Sequence, residues 1–321
     1  MKRAWGRAGA LALLLSSLSA LAQPWPARPV RIIVAFSPGG VTDIIARTLA
    51  PKLSEMWSQP VVVENRAGAG GSVGAVAVAR SPADGYTLLV HSSGYALNPA
   101  INATLPYDYK SDFVDVAPLA SQPMVLVVSP ASGITSLAEL VALAKARPGQ
   151  VSYGSAGIGS GAHFNSEKFR IAAGIEALHV PYKGGAEAIQ DTIAGRLTFT
   201  VNTITLALPH IRERRLLPLG VSSAQRSSLL PDTPTIAETV VPGFEFTFWN
   251  GLWAPAGTPA AVVAKIARDL GRVVGLADVR ERLASLGAEP MSMSPPEFSR
   301  FVRSEIEDSA RIARAAGIKV Q

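Results

Sequence analysis

The feature that most constrains this chain is a buried strand that runs directly into a glycine-rich turn and then into a helix. Residues 30–35 are almost all apolar and mostly β-branched, which indicates a buried strand. The turn that follows reads Phe36-Ser37-Pro38-Gly39-Gly40-Val41-Thr42-Asp43. Beyond the turn, apolar residues recur at helical spacing, at Ile44, Ile45, Leu49 and Leu53.

The turn has the properties of an anion site. Pro38 fixes one backbone dihedral, and Gly39 and Gly40 permit a positive φ and leave the backbone bare. Thr42 or Asp43 is expected to cap the new helix. Free N–H groups at a helix start point outward with the positive end of the dipole, which suits a carboxylate or phosphate. The turn matches neither the P-loop nor the dinucleotide fingerprint, so a plain connector is the alternative.

A second unit of the same kind lies later in the chain. Residues 151–155 predict a strand, and the turn after them carries Gly157, Gly159 and Ser160. A helix is predicted over residues 165–173. Each half of the protein therefore supplies one helix start that is suited to an anion.

Strands alternate with helices along the chain, which predicts parallel sheets covered by helices. The predicted strands at 114–119 and 124–128 are expected to leave one domain and enter another. Ligands of open parallel sheets bind beyond the carboxyl ends of the strands. Ser92 and Ser93 follow the strand predicted at 86–90, so they are expected to face the same pocket as the first turn.

Four side chains near these turns have roles that the sequence leaves open. His163 either donates to an anion or simply packs. Asp43 either caps its helix or receives the ammonium group of a ligand. Tyr182 precedes a Gly-Gly pair and Asn202 ends the strand predicted at 199–202, so both are expected to reach the cleft.

Residues 1–22 are predicted to be an export signal that is removed before Gln23. A basic start is followed by an apolar run over 8–15 that is too short to span a bilayer, and Ala20-Leu21-Ala22 forms a small-x-small cleavage signature. A retained membrane anchor is the alternative. The chain has no cysteine, which excludes disulfides and a lipid-anchored cysteine. The sequence therefore predicts a periplasmic protein.

Composition narrows the class of partner. The formal charge of +6 includes three basic residues of the signal, so the mature chain carries +3 (6 − 3). Lysine and arginine are scattered, with no basic stripe beside aromatics, so no nucleic-acid partner is expected. A mature length of about 300 residues suits two α/β domains.

An enzyme would need a reactive group, and the candidates are weak. The chain lacks a cysteine nucleophile and a G-x-S-x-G elbow, and its four histidines have no metal-site spacing. No cofactor or metal is expected. A Ser37–His163–Asp43 triad can be written on paper, and triads are recognised only by geometry. A periplasmic hydrolase that uses Ser37 or Ser160 therefore stays as the alternative.

A binding protein needs less chemistry. A carboxylate gains about 0.3–1 kcal/mol from each helix dipole and roughly 1.5–3 kcal/mol from each charge-assisted hydrogen bond. Micromolar affinity requires about 8 kcal/mol. Two turns of this kind, with the hydroxyl groups of Ser37 and Ser160, reach that value without lysine or arginine.

The sequence resembles the Bug-type solute-binding proteins of tripartite tricarboxylate transporters, over almost all of the mature chain. The segments that carry the resemblance are residues 36–47, 63–71, 83–89, 157–163 (Gly-x-Gly-Ser-x-x-His), 180–184 (Val-Pro-Tyr-Lys-Gly), 230–238 and 255–259 (Pro-Ala-Gly-Thr-Pro). Together they are specific, and each alone is weak.

The resemblance implies a two-domain α/β fold of the type II periplasmic-binding-protein class. Each domain would be a mostly parallel sheet flanked by helices, with the ligand cleft between them. The expected domains are residues 23–122 plus 225–321 and residues 123–224.

The resemblance also implies that the two glycine loops grip one carboxylate and that Gly184 lies beside them. Val41, where a small or polar residue is usual, and His91 depart from the family pattern at the pocket. The implied partners are a small carboxylate and either a membrane permease or a membrane sensor, with the receptor itself a monomer.

Overall fold

The computed structural model describes residues 25–102 and 104–315, and the predicted export signal lies outside them. The chain forms two lobes that share one long strand. The first part of the chain builds most of lobe 1, from β1 (Val30–Val34), α1 (Val41–Trp57), β2 (Val61–Asn65), a 3-10 turn (Ala69–Gly71), α2 (Ser72–Ala79), β3 (Thr87–Ser92), α3 (Gly94–Ile101) and the start of β4 (Phe113–Val128).

Lobe 2 follows without interruption. Its elements are a 3-10 turn (Pro130–Ser132), α4 (Leu137–Ala146), β5 (Ser152–Ser155), α5 (Gly161–Ala172), β6 (Leu178–Pro181), α6 (Gly185–Ile193), β7 (Phe199–Thr203), α7 (Ile204–Arg212) and β8 (Leu217–Val221). The chain then returns to lobe 1, through α8 (Ile236–Thr239), β9 (Thr247–Pro255), α9 (Ala260–Gly275), α10 (Ala277–Ser285), β10 (Glu289–Pro290) and α11 (Pro295–Ala315).

The two lobes are built on the same sheet pattern. In lobe 1, β1 pairs in parallel with β2 and β3, and β9 lies antiparallel between β3 and β4. In lobe 2, β5 pairs in parallel with β6 and β7, and the end of β4 lies antiparallel to β7 and β8. Each lobe therefore has a parallel core and antiparallel edges, which agrees with the predicted α/β class.

Strand β4 joins the lobes by changing partners. Pro123 still pairs with Thr247 of β9, whereas Met124 pairs with Thr203 of β7. The prediction of two separate strands at 114–119 and 124–128 is wrong because β9 supplies pairing partners across the segment between them.

Helices α3 and α7 were not predicted from the sequence. Each contains a proline, Pro99 or Pro209, which removes a backbone donor and argues against a helix. Burial outweighs that cost, since Tyr95, Ala96 and Leu97 of α3 are all buried. Helix α5 starts earlier than predicted, directly after Ser160.

The packing of lobe 1 centres on stacked aromatics. The ring centroids of Tyr95 and Trp253 lie 4.2 Å apart, and Phe298 of α11 packs on Trp253. This cluster places α3 over the sheet, beside the second lobe. Within the described part of the chain, no helix combines the length and apolar character that a membrane crossing needs.

Candidate functional site

A cavity lies between the lobes, and the space free of protein atoms in it and at its open mouth is about 400 Å³. Segments from both lobes line it, including the first turn and the second turn. The lining residues are Phe36, Gly40, Val41, Thr42, Ser92, Met124, Ala156, Ser160, Gly161, Ala162, Gly184, Gly185, Asn202, Thr203, Leu206 and Phe248.

Four helices begin at this cavity. They are α1 of lobe 1 and α5, α6 and α7 of lobe 2. Their N-caps all line the cavity and are, in the same order, Gly40, Ser160, Gly184 and Thr203. Every helix start carries N–H groups without an intrahelical acceptor and a partial positive charge. The cavity is therefore surrounded by hydrogen-bond donors that carry no formal charge.

The sequence predicted two of these helix starts as anion sites and missed two. The start of α6 carries the predicted cavity residue Gly184, but no strand was predicted before it, so it did not match the strand–turn–helix pattern. The start of α7 follows β7 with no glycine between them, and Pro209 obscured the helix.

The start of α1 leaves three N–H groups open. Gly40 donates to the Ser37 carbonyl at 3.2 Å, while no acceptor among the described residues takes the N–H of Val41, Thr42 or Asp43. The predicted side-chain cap is wrong: Gly40 is the N-cap, and Thr42 and Asp43 lie inside the helix.

Asp43 instead holds the turn together from behind. Its carboxylate accepts from the N–H of Gly39 at 2.9 Å, from Nε of Arg47 at 2.9 Å and from Nδ2 of Asn65 at 2.9 Å. Burial acts to raise the pKa of Asp43, but the bonds from Arg47, Gly39 and Asn65 outweigh it and lower that pKa below its usual value. Asp43 is not among the cavity-lining residues.

The start of α5 is organised in a similar way. The Ser160 hydroxyl accepts from the N–H of His163 at 3.2 Å, and Nδ1 of His163 accepts from the N–H of Gly159 at 3.3 Å. No acceptor among the described residues takes the N–H of Gly161 or Ala162, so both remain open to the cavity.

His163 is buried and packs against the half-buried His179 rather than lining the cavity. Its ring stacks on His179 with centroids 4.1 Å apart, and Nε2 of His179 lies 2.6 Å from the Ser155 hydroxyl, which accepts from the N–H of Gly157. Burial lowers the pKa of His163 to about 4, and burial with the neighbouring His163 lowers the pKa of His179 to about 3. Both rings are therefore neutral at neutral pH.

The two lobes touch through backbone that only glycine permits. A Cβ at Gly70, where φ is +62°, would lie 1.8 Å from the carbonyl oxygen of Ile158. A Cβ at Gly94 would lie 2.6 Å from the carbonyl oxygen of Gly159. The hydroxyl of Ser37 donates to Oε1 of Glu187 across the cleft at 3.3 Å.

The remaining predicted residues divide into two groups. Those that line the cavity are Gly40, Val41, Thr42, Ser92, Ser160, Gly184 and Asn202. Those that lie behind or beside it are Ser37, Gly39, Asp43, Ser93, Gly157, Gly159, His163 and Tyr182. The Tyr182 hydroxyl, for example, donates to Asp191, and burial together with Asp191 raises the pKa of Tyr182 to about 12.

The sequence missed much of the apolar lining. Met124 lies inside the long strand β4, where a hydrophobic residue predicts only core. Leu206 belongs to the unpredicted helix α7. Phe36 and Phe248 did carry a positional signal: Phe36 lies directly before the first turn, and Phe248 belongs to the aromatic stretch 244–253, which predicts a strand along the cleft or hinge.

The Ser37–His163–Asp43 triad does not assemble. Ser37 bonds Glu187, Asp43 bonds Arg47, and His163 stacks on His179. The geometry therefore gives no support to a hydrolase that uses Ser37.

Comparison with known proteins identifies the family. Residues 45–318 match the family described as "Tripartite tricarboxylate transporter family receptor". Protein BugT of Bordetella pertussis is 38% identical over 302 residues, which cover 94% of this chain and 93% of BugT.

Two solved structures are close in fold. Rpa4515 of R. palustris, determined with adipate, superposes with a TM-score of 0.88 at 36% identity over 92% of this chain and 99% of that one. The periplasmic binding protein BugD superposes with a TM-score of 0.88 at 31% identity over 92% of this chain and 100% of that one. This chain belongs to the tripartite tricarboxylate transporter receptor family, a family of solute-binding receptors and not of enzymes.

Proposed function

We propose that this protein captures a small organic carboxylate between its two lobes and delivers it to a tripartite tricarboxylate-type permease. The observation that carries the proposal is the convergence of four helix starts, from both lobes, on one cavity. Such starts bind anions through backbone donors and the helix dipole.

The number of donors matches the affinity that a receptor needs. Four residues with open N–H groups line the cavity at the starts of α1 and α5 alone, namely Val41, Thr42, Gly161 and Ala162. At roughly 1.5–3 kcal/mol for each hydrogen bond to a charged group, four such bonds supply the roughly 8 kcal/mol of a micromolar complex.

The relatives support the same chemistry. Rpa4515, determined with adipate, shares 36% identity and nearly the whole fold. BugD is described as periplasmic, and we propose that this chain is periplasmic after cleavage near Ala22. A membrane sensor in place of the permease would need no change in the cleft, and we propose a monomeric receptor in either case.

Ligand would close the lobes because each lobe holds part of the contacts. A ligand shifts such an equilibrium only through its differential affinity for the closed form. We propose that the domains divide at residues 122/123 and 224/225, and the change of partner at Pro123 in β4 supports the first boundary.

The proposal is tested by isothermal titration against dicarboxylates, tricarboxylates, amino acids and aromatic acids, with each mixture checked for turnover by NMR. We expect saturable binding of at least one carboxylate without consumption. Consumption of an ester or amide substrate would instead support a hydrolase that uses Ser160. Capture of membrane proteins by the tagged, ligand-loaded receptor would distinguish a permease from a sensor.

Gly40→Val tests the role of the first turn. A Cβ at Gly40 would lie 3.1 Å from the carbonyl oxygen of Ser37, so the larger side chain crowds the turn and intrudes on the cavity. We expect loss of measurable binding with a retained circular dichroism spectrum. Unchanged affinity would contradict the role of this turn.

A further inference from the structure

The lining of the cavity is mostly apolar apart from the helix starts and two uncharged polar residues, Ser92 and Asn202, and it carries no ionisable side chain among the described residues. We propose that the ligand is a monocarboxylate whose other end is an uncharged aliphatic or aromatic group. This inference rests on the proposed function and narrows its ligand class.

Large apolar side chains from both lobes surround the space next to the helix starts. Phe36, Met124 and Phe248 are 6%, 1% and 6% exposed and present their faces to the cavity rather than to solvent. Val41 and Leu206 are the first and third residues of α1 and α7, so each places a branched side chain directly beside open N–H groups. Apolar surface of this kind stabilises a hydrocarbon group by about 0.8 kcal/mol for each buried CH₂.

A second charged end would find no countercharge in this cavity. The second carboxylate would have to share the uncharged donors of the helix starts with the first, and a buried carboxylate left without a partner is strongly unfavourable. The guanidinium of Arg47 is already bonded to Asp43 and Asn65, outside the cavity lining. A negative charge lies near the cavity but outside its lining, because Glu187 of α6 accepts from the Ser37 hydroxyl across the cleft. It repels a second carboxylate.

One buried polar atom adds a donor to those that the helix starts offer the single carboxylate. Thr203 is 2% exposed and lines the cavity, and its hydroxyl has no partner among the described residues. Thr203 is also the N-cap of α7, so the hydroxyl and the first N–H groups of that helix lie together. A buried donor without a partner costs about 1–3 kcal/mol, which a carboxylate oxygen placed there would recover.

Matched pairs of ligands distinguish a preference for monocarboxylates from a preference for dicarboxylates. Hexanoate and adipate have six carbons each and differ only in whether the far end is a methyl group or a carboxylate, and butyrate and succinate form a shorter matched pair. We expect hexanoate to bind at least tenfold more tightly than adipate, and butyrate more tightly than succinate. Tighter binding of adipate and succinate would overturn this inference and leave the proposed function standing. Saturable binding of no carboxylate in the wider panel would overturn both.

A single substitution should reverse the preference. Leu206 is partly exposed, and Leu206→Lys adds a cation to the apolar wall while Leu206→Met keeps it apolar. We expect the hexanoate-to-adipate affinity ratio to fall at least tenfold in Leu206→Lys and by less than threefold in Leu206→Met. An unchanged ratio in a folded Leu206→Lys protein would contradict the proposal. If that variant does not fold, the matched ligand pairs on the unaltered protein decide alone.

Discussion

The first turn in lobe 1 and the second turn in lobe 2 have the same backbone but different chemistry. The N-caps Gly40 and Ser160 have φ of −71° and −73° and ψ of 160° and 156°. The glycine before each cap has positive φ, +74° at Gly39 and +82° at Gly159. Each of these glycines donates its N–H to a side chain four residues later.

The acceptors are an anion in lobe 1 and a neutral ring in lobe 2. Asp43 accepts as a carboxylate balanced by Arg47, whereas His163 accepts through Nδ1 and must stay unprotonated to do so. A helix start of this kind therefore needs a hydrogen-bond acceptor behind its turn, and that acceptor can be charged or neutral. In both lobes the acceptor occupies the N–H of the turn and leaves the next N–H groups to the cavity.

Keeping the lobes apart should have the largest effect on binding. Gly70→Ala places a Cβ 1.8 Å from the carbonyl oxygen of Ile158, in the second turn, so the two turns cannot meet around a ligand. We expect at least a hundredfold loss of affinity in calorimetric titration.

The control for Gly70→Ala is Gly133→Ala. Gly133 also has a positive φ of +74°, but a Cβ there would meet nothing within 4 Å. Both variants should lose about 1 kcal/mol of stability from backbone strain, and only Gly70→Ala should lose binding. Equal affinity in the two variants would show that this contact does not govern closure.

Removal of the anionic acceptor in lobe 1, the Asp43 carboxylate, should cause the next largest loss of affinity. Asp43→Ala leaves the N–H of Gly39 and the Arg47 and Asn65 side chains without their acceptor. We expect about 3 kcal/mol of lost stability and at least a tenfold loss of affinity, measured by urea unfolding and titration.

Asp269→Ala is the matched control because Asp269 is equally buried and is paired with Lys265 and Trp57, outside the cavity lining. It should lose similar stability and keep its affinity. If Asp43→Ala also keeps its affinity, the first turn does not need its acceptor for binding.

The neutral acceptor of lobe 2 should reveal itself in the pH dependence of stability. Burial lowers the pKa of His163 to about 4 from 6.5, so below pH 6.5 the unfolded chain binds a proton that the folded chain does not. Stability must therefore fall as pH falls from 6.5 to about 4, by roughly 3 kcal/mol from this residue.

His163→Gln supplies a neutral oxygen that does not titrate. Between pH 7 and pH 4, the free energy of unfolding of this variant should therefore decrease by roughly 3 kcal/mol less than that of the unaltered protein. The groups that face His163 are His179, Glu167 and Arg170, and they remain in the variant. Urea unfolding at both pH values measures the difference. Identical pH dependence in the two proteins would contradict a neutral, buried His163.

The smallest loss of affinity should come from the N-cap side chain, which is a serine in the second turn and absent in the first. Ser160→Ala removes the hydroxyl that accepts from the N–H of His163, whereas Gly40 never had one. We expect about 1 kcal/mol of lost stability and about a threefold loss of affinity. Ser136→Ala removes the equivalent cap of α4, away from the cavity, and should lose only stability. Equal affinity loss in both would assign the effect to general destabilisation.

The two turns were predictable from the sequence because closely spaced glycines directly after a buried strand favour few structures besides a tight turn. Gly39 does adopt the positive φ that the sequence suggested, whereas Gly40 has a φ of −71°. Asp43 and His163 were not predictable as acceptors behind the turns, since a spacing of four residues also fits a cap or a ligand contact. Leu206 and Met124 were not predictable either, because their role depends on which lobe faces them, and that is set by the partner change in β4.

We propose that helix starts from both lobes contact one carboxylate. The direct test of this shared contact is to titrate ¹⁵N-labelled protein with hexanoate and with adipate in parallel and to follow the amide chemical shifts. The amides of Val41 and Thr42 in lobe 1 and of Gly161 and Ala162 in lobe 2 should all shift downfield, with one shared dissociation constant for each ligand that binds. Shifts confined to one lobe, or two different constants, would contradict the claim.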